Sequence, residues 1–428
     1  MDNVARAPST PLAAPAILPH PPPMKTPALL LLASTLALAE PPEPKFTAVT
    51  LDDKIQIGYG LAIADVDGDG HPDIILADKR QIVWYRNPGP DQARDPAAWR
   101  KYLIAENLTE HDNVCLAAQD IDGSGKCELA VGAEWNPGDT EHSGAVFYLI
   151  PPADRTQRWE PVKFPSVEPT THRMRWLKME DGTWGLVVVP LHGRGNKNGE
   201  GAPVKVMLYH PPTPLNDPKG EWKSEVIDES MHMTHNFAVL GSGFMLIGKE
   251  GFGIRAKFKG EWENLFGDEI NQSIEPLFKG AGEVCSGTMS TNNEPPYFFS
   301  TVEPMHGNEL IVYWCPDRTA TRIRRVLTDK LVEGHALKCG DLLGVKSDQI
   351  VVGWRGHPAP PDNTFGIHLW TPLDATGEHW RESAVDDGGM ACEDLQLADL
   401  DGDGRPDIIA SGRATHNVKL YFNDTGRK

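Results

Sequence analysis

Short apolar runs recur along nearly the whole chain, separated by turns rich in Gly, Pro and Asp. Their length and their Val, Ile and aromatic content predict strands, and no convincing amphipathic helical period interrupts them. One stretch occurs twice, near opposite ends: IADVDGDGHPDIILA at 63–77 and LADLDGDGRPDIIA at 397–410. Each joins a strand to a loop and a second strand. An aromatic third strand that ends near proline follows at 82–88, 145–152, 204–212, 310–316 and 367–372. A Trp-led or basic outer strand comes next at 99–106, 159–164, 222–228, 323–329 and 380–386. Innermost strands are expected to begin near Tyr59, His111, His172, His235, Cys285, His335 and Cys392. Seven such units predict an all-β, seven-bladed β-propeller spanning residues 40–428. The unit near 232–280 is the least regular. The last unit stops after its third strand, 418–423, and the isolated strand at 46–51 is expected to complete it. Such N-/C-terminal strand closure removes exposed edges.

The first 39 residues fall outside this pattern. Residues 1–23 are a Pro-rich, low-complexity leader, and Met24 is the expected true start. Residues 24–39 carry a lysine, a short apolar run and Ala37-Leu38-Ala39, which reads as a signal peptide cut before Glu40. The run is too short to span a bilayer. A secreted or periplasmic protein is expected, without a membrane anchor after cleavage. The net charge of −19 argues against nucleic acid or anionic membrane as partner. Six cysteines lie within or beside predicted strands, and buried free thiols are expected rather than a disulfide framework.

The repeated loops carry chemistry. Asp65, Asp67, Asp69 and Asp73 stand at loop positions 1, 3, 5 and 9, as do Asp399, Asp401, Asp403 and Asp407. Oxygen ligands at alternate positions, with Gly70 or Gly404 at the sixth, wrap a hard cation such as Ca²⁺. A third copy offers Asp120, Asp122, Ser124 and Glu128 and is expected to bind more weakly. A fourth, Asp341 to Asp348, keeps little beyond the hairpin. Two or three calcium ions are expected; the plain alternative is an acidic turn that binds nothing. These loops resemble the FG-GAP/VCBS repeat family, whose members form β-propellers with calcium loops between the first two strands of a blade.

In such a blade the start of strand 1 and the end of strand 2 lie opposite the calcium loops, at the mouth of the central channel. Histidines collect there. His111, His172 and His235 stand at similar places in successive units, 61 and 63 residues apart. They are the candidate ligands of a zinc or other transition ion. His232 competes with His235 for that place. His335 is a fourth candidate ligand or a base, Glu250 a second candidate base and His192 a candidate acid. His306, His357 and His416 end other second strands. Arg355 and Arg413 are candidate substrate anchors, with an interblade salt bridge as the equal alternative. Trp135 is a candidate sugar-stacking surface, with propeller packing as its alternative.

Seven blades, calcium hairpins and axial histidines together resemble the propeller domain of aldos-2-ulose dehydratase. That resemblance implies a metal in the propeller and a carbon–oxygen lyase reaction, β-elimination from a keto-sugar or oligosaccharide. It rests on architecture and histidine placement. Two alternatives stay open: a non-catalytic propeller that binds glycans or proteins, and a polysaccharide lyase on uronic-acid polymers. No nucleophile elbow, phosphate loop or dinucleotide fingerprint is present.

Overall fold

The computed structural model describes residues 40–217, 219–264, 280–289, 297–315, 323–356 and 364–427. The leader, the signal segment, His357 and the Cys315 side chain lie outside the described set. The first strand, β1 (Phe46–Asp52), waits for the end of the chain. Blade 1 is β2 (Gly60–Ala64), β3 (Asp73–Ala77), β4 (Gln81–Arg86) and β5 (Arg100–Glu106). Blade 2 is β6 (Cys115–Gln119), β7 (Glu128–Ala133), β8 (Ala145–Ile150) and β9 (Glu160–Lys163). Blade 3 is β10 (Thr171–Lys178), β11 (Trp184–Pro190), β12 (Val206–His210) and β13 (Lys223–Asp228). Blade 4 is β14 (Thr234–Leu240), β15 (Gly243–Gly248), β16 (Gly251–Phe258) and β17 (Glu261–Asn264). Blade 5 is β18 (Glu283–Thr288), β19 (Tyr297–Glu303), β20 (Glu309–Cys315) and β21 (Ile323–Thr328). Blade 6 is β22 (Gly334–Gly340), β23 (Gln349–Trp354), β24 (Gly366–Pro372) and β25 (Trp380–Asp387). Blade 7 is β26 (Cys392–Ala398), β27 (Asp407–Gly412) and β28 (Asn417–Asn423), completed by β1.

Each blade is a four-stranded antiparallel meander. The innermost strands touch in the order β2, β6, β10, β14, β18, β22, β26 and back to β2, so the seven blades close into a ring. Closure is by pairing: Phe46 faces Asn423 and Val49 faces Leu420 across an antiparallel ladder. The protein is an all-β, seven-bladed propeller.

Burial explains the sequence pattern. Second strands such as β3 and β27 are buried at every position, because each blade packs on neighbours through both faces. They therefore read as unbroken apolar runs. Outer strands such as β9 and β17 are mostly exposed and read as polar. The irregular unit is blade 4, a tight meander whose outer strand is short. Neighbouring blades are also stapled on the calcium-loop face. The buried Asn87 side chain donates to Leu400 O of blade 7 at 3.0 Å, and Asn423 donates to Leu342 O of blade 6 at 2.7 Å.

Two expectations need correction. Blade 2 begins at Cys115, not at His111. Cys115, Cys127 and Cys392 are free and buried as expected, but Cys285 and Cys339 form a disulfide between the innermost strands of blades 5 and 6.

Candidate functional site

The calcium loops build themselves from their first aspartate. Asp65 accepts the amides of Gly68 and Gly70 at 2.7 and 2.8 Å, and Asp399 accepts those of Asp403 and Gly404 at 3.0 and 2.8 Å. Gly70 and Gly404 both sit at φ 85°, a left-handed backbone that favours glycine. The ninth residue plugs the hairpin from below. Asp73 accepts the amides of Val66 and Asn87, and Asp407 those of Leu400 and Asn423. Single ligand atoms of Asp65, Asp67 and Asp73, and of Asp399, Asp401 and Asp407, come within 4.8 Å of one another; so do those of Asp120, Asp122 and Glu128.

These residues suit a cation. Asp67 Oδ1 and Asp401 Oδ1, at the same position of the two full loops, are buried acceptors with no hydrogen-bond partner among the described residues. Burial, then the neighbouring aspartates, outweighs the amide bonds and pushes Asp73 up to about 8. Asp407 rises to about 7 and Glu128 to about 7, again chiefly through burial. A divalent ion held there would supply the positive charge that these carboxylates lack. The third loop is less demanding, because Asp122 Oδ1 already accepts the Ser124 amide at 2.9 Å. Position 5 is outside all three groups, and in the full loops arginines pair with both position 3 and position 5: Arg86 with Asp67 at 2.6 Å, and Arg94 with Asp401 at 2.7 Å. Asp69 pairs with Arg86 at 3.1 Å, Asp403 with Arg405 at 2.5 Å, and the Ser124 hydroxyl contacts only its own loop. In the fourth hairpin the neutral Gln349 replaces the ninth carboxylate and accepts the amides of Leu342 and Leu343. The turn therefore forms without the charge.

On the opposite face the innermost strands of blades 3, 4, 6 and 7 begin with a one-residue irregularity in pairing. It falls at His172, His235, His335 and Glu393. Such a bulge leaves one residue out of the ladder and re-aims its side chain. It also frees a carbonyl, and the previous blade uses it. His172 Nδ1 bonds His235 O at 2.8 Å, and His335 Nδ1 bonds Glu393 O at 2.6 Å; His235 Nδ1 reaches Gly282 O at 2.6 Å. A carbonyl only accepts, so all three rings carry their proton on Nδ1 and keep a lone pair on Nε2. That is how ligand histidines are oriented.

The group that assembles is His235, His306 and His335, with ligating nitrogens within 4.8 Å of one another. His306 arrives from the end of β19 with φ 53°, its Nε2 2.6 Å from that of His235. Burial drives His235 and His335 well below the usual histidine range. It lowers His306 to about 2, helped by His235 and by Arg355. All three are neutral, the form that binds metal.

The expected trio is thus assembled only in part. His111 stays at the rim, half exposed, with Nδ1 2.5 Å from Glu134. It lies nine residues before Asp120, whereas His335 and Glu393 lie six before Asp341 and Asp399. His111 is three residues too early to reach the bulge position. His172 does reach it and stands edge-on to His235 at 4.6 Å, but its Nε2 accepts from Arg173 at 2.9 Å. Trp135 lies stacked on His172 at 4.9 Å, which is packing within the propeller. His335, expected as ligand or base, is in the ligand group.

Glu250 holds the rim residue His232 by its amide at 2.9 Å and by Nδ1 at 3.1 Å. His192 is buried, its Nδ1 has no partner, and burial lowers its pKa, which disfavours the charged form an acid needs. Arg355 and Arg413 grip the two oxygens of buried Glu393 at 3.2 and 3.1 Å, the interblade salt bridge. Glu393 itself escaped the sequence reading. So did the charges on alternate positions of the innermost strands, Arg173, Arg175, Lys338 and Asp394, although alternation on an axis-lining strand was a signal for them.

Residues 65–131 match the family model described as an FG-GAP-like repeat. That stretch runs from the first calcium loop into β7 and contains the third-copy loop. No curated protein matches the chain. Among solved structures, one described as the crystal structure of BBS1N in complex with ARL6DN, soaked with lead, is similar at 11% identity and a TM-score of 0.49. The match covers 90% of this chain and 96% of that one. An FG-GAP-like repeat thus lies within a seven-bladed propeller. None of these matches names an aldos-2-ulose dehydratase.

Proposed function

We propose that this is an exported, calcium-bearing propeller whose axial imidazoles hold a divalent transition ion and serve β-elimination of water, or of a sugar, from a keto-sugar or oligosaccharide. One observation carries the reading: the convergence of His235, His306 and His335, neutral and with two rings tied back through Nδ1 to carbonyls. Three imidazoles, with no fourth protein ligand grouped with them among the described residues, form the donor set of a catalytic rather than a structural zinc site. His235, His306 and His335 would hold the ion, and the chemistry it would supply is polarisation of a carbonyl oxygen, which acidifies the neighbouring C–H. The protein's own base is His232. Glu250 fixes its Nδ1, leaving Nε2 to take the proton α to the carbonyl and return it to the departing β-hydroxyl, which leaves as water. Because Arg355 and Arg413 spend their charges on Glu393 and Glu333, a neutral sugar suits the mouth better than a uronate. Export is supported by the Cys285–Cys339 disulfide, since such bonds persist in oxidising compartments.

The test is elemental analysis of protein purified without chelator, wild type against His306→Ala and His335→Ala, with enone absorbance followed on keto-sugars. Calcium should be equal in all three proteins. About one transition ion per chain should be lost in both variants, together with enone formation. Calcium alone in the wild type, even after supplementation with zinc, would end the lyase reading and leave a binding propeller.

A further inference from the structure

Beside the imidazole group the axial channel encloses a cavity of about 40 Å³. Its charged walls come from innermost strands: Arg173 and Arg175 on β10, Glu283 on β18, Lys338 on β22 and Asp394 on β26. Three cations thus face two carboxylates. His335 also lines the cavity. The wall is left with one positive charge in excess.

The hydrogen bonds show the same imbalance. Asp394 is occupied by the amides of Leu61 and Leu395, both at 2.8 Å. Glu283 Oε2 accepts from Asn236 at 2.6 Å, and Arg175 donates to Asn236 Oδ1 at 3.1 Å. Glu283 Oε1 is the one acceptor left over. Arg173 Nη2 stops 3.9 Å short of it. Lys338 makes no hydrogen bond or ion pair with a described residue, so the three donors of its ammonium are all free. Donors outnumber acceptors around the cavity.

We propose that this cavity binds one small monovalent anion, of halide size, between Lys338 Nζ and Arg173 Nη2. An uncompensated charge in a partly desolvated channel is unfavourable, and a counter-ion offsets that cost. Lys338 is partly buried, and this burial, then Arg175, lowers its amine to about 8. The volume admits a water-sized occupant or two and no sugar ring, so this site is separate from the proposed elimination centre and stands if that reading fails.

The experiment uses calcium-loaded full-length protein and bromide. Crystals soaked in bromide should show an anomalous peak between Lys338 and Arg173. Thermal unfolding should shift upward with bromide and saturate, while gluconate, too large for the cavity, should do nothing at equal ionic strength. At ten times its dissociation constant bromide should raise the folding equilibrium constant about tenfold. Lys338→Met removes the excess charge and should abolish the bromide response. No anomalous peak in the wild type, an equal response to gluconate, or a bromide response that survives in Lys338→Met would each overturn the proposal and leave water as the occupant. The wild-type peak decides the matter even if the variant does not fold.

Discussion

Chelation should make this protein's stability fall steeply as pH rises, and the ninth loop residue is the reason. In the metal-free state Asp73 titrates at about 8 instead of its ordinary 3.8, and Asp407 at about 7. An unfolded chain gives up both protons near pH 4. The folded chain keeps them until pH 7 or 8 and so binds more protons across that window. Stability therefore falls from about pH 4 upward and levels off above the folded pKa values. At about 1.4 kcal/mol per pKa unit, each carboxylate costs on the order of 4–6 kcal/mol by pH 8. Two such losses rival the whole stability of many domains. Calcium reverses the sign, because a bound cation favours the ionised form.

The assay is urea unfolding from pH 5 to 8, with saturating calcium and with chelator. The gap between the two curves should widen by several kcal/mol toward pH 8. Asp73→Asn with Asp407→Asn should narrow it to the share of Glu128, which burial raises to about 7 in the third loop. Each amide oxygen keeps one buried N–H satisfied and strands the other, for about 1–3 kcal/mol, but carries no charge. Gln349 already does this job in blade 6, with both N–H groups satisfied. A chelated wild type equally stable at pH 5 and pH 8, relative to its calcium form, would refute the reasoning.

Removing residues 46–52 should unpair the outer strand of blade 7, expose β28 and lower the unfolding midpoint of the whole ring; calorimetry would show whether the loss is global or confined to one blade. Asn87→Ala strands buried carbonyls at Pro72 and Leu400 and the Gly89 amide, an expected loss of about 2–4 kcal/mol in urea unfolding. Glu393→Gln leaves Arg355 and Arg413 without their shared carboxylate, which should cost about 3 kcal/mol by the same measurement. His335, tied to the Glu393 backbone carbonyl, should keep its place in that variant.

The sequence by itself determined the propeller, its blade count and the way it closes. Blades packed on both faces need unbroken apolar second strands, and that need is written as a period. The calcium loops were equally legible, because their ligands are local: one short segment supplies Asp65, Asp67 and Asp73 at fixed spacing. The axial group was not local. His235, His306 and His335 come from three blades; His235 and His335 reach the axis through a bulge, a property of two paired strands, and His306 from the end of β19. Similar spacing therefore ranked His111 with His172 and His235, although it falls three residues short of the bulge position. The count back from the loop aspartate would have excluded it. Nothing local, by contrast, pairs Cys285 with Cys339, sets Arg355 and Arg413 on Glu393, or leaves Lys338 unmatched in the channel. Those contacts exist only because a closed ring turns alternate residues of seven strands toward one axis, where burial decides which charges find partners.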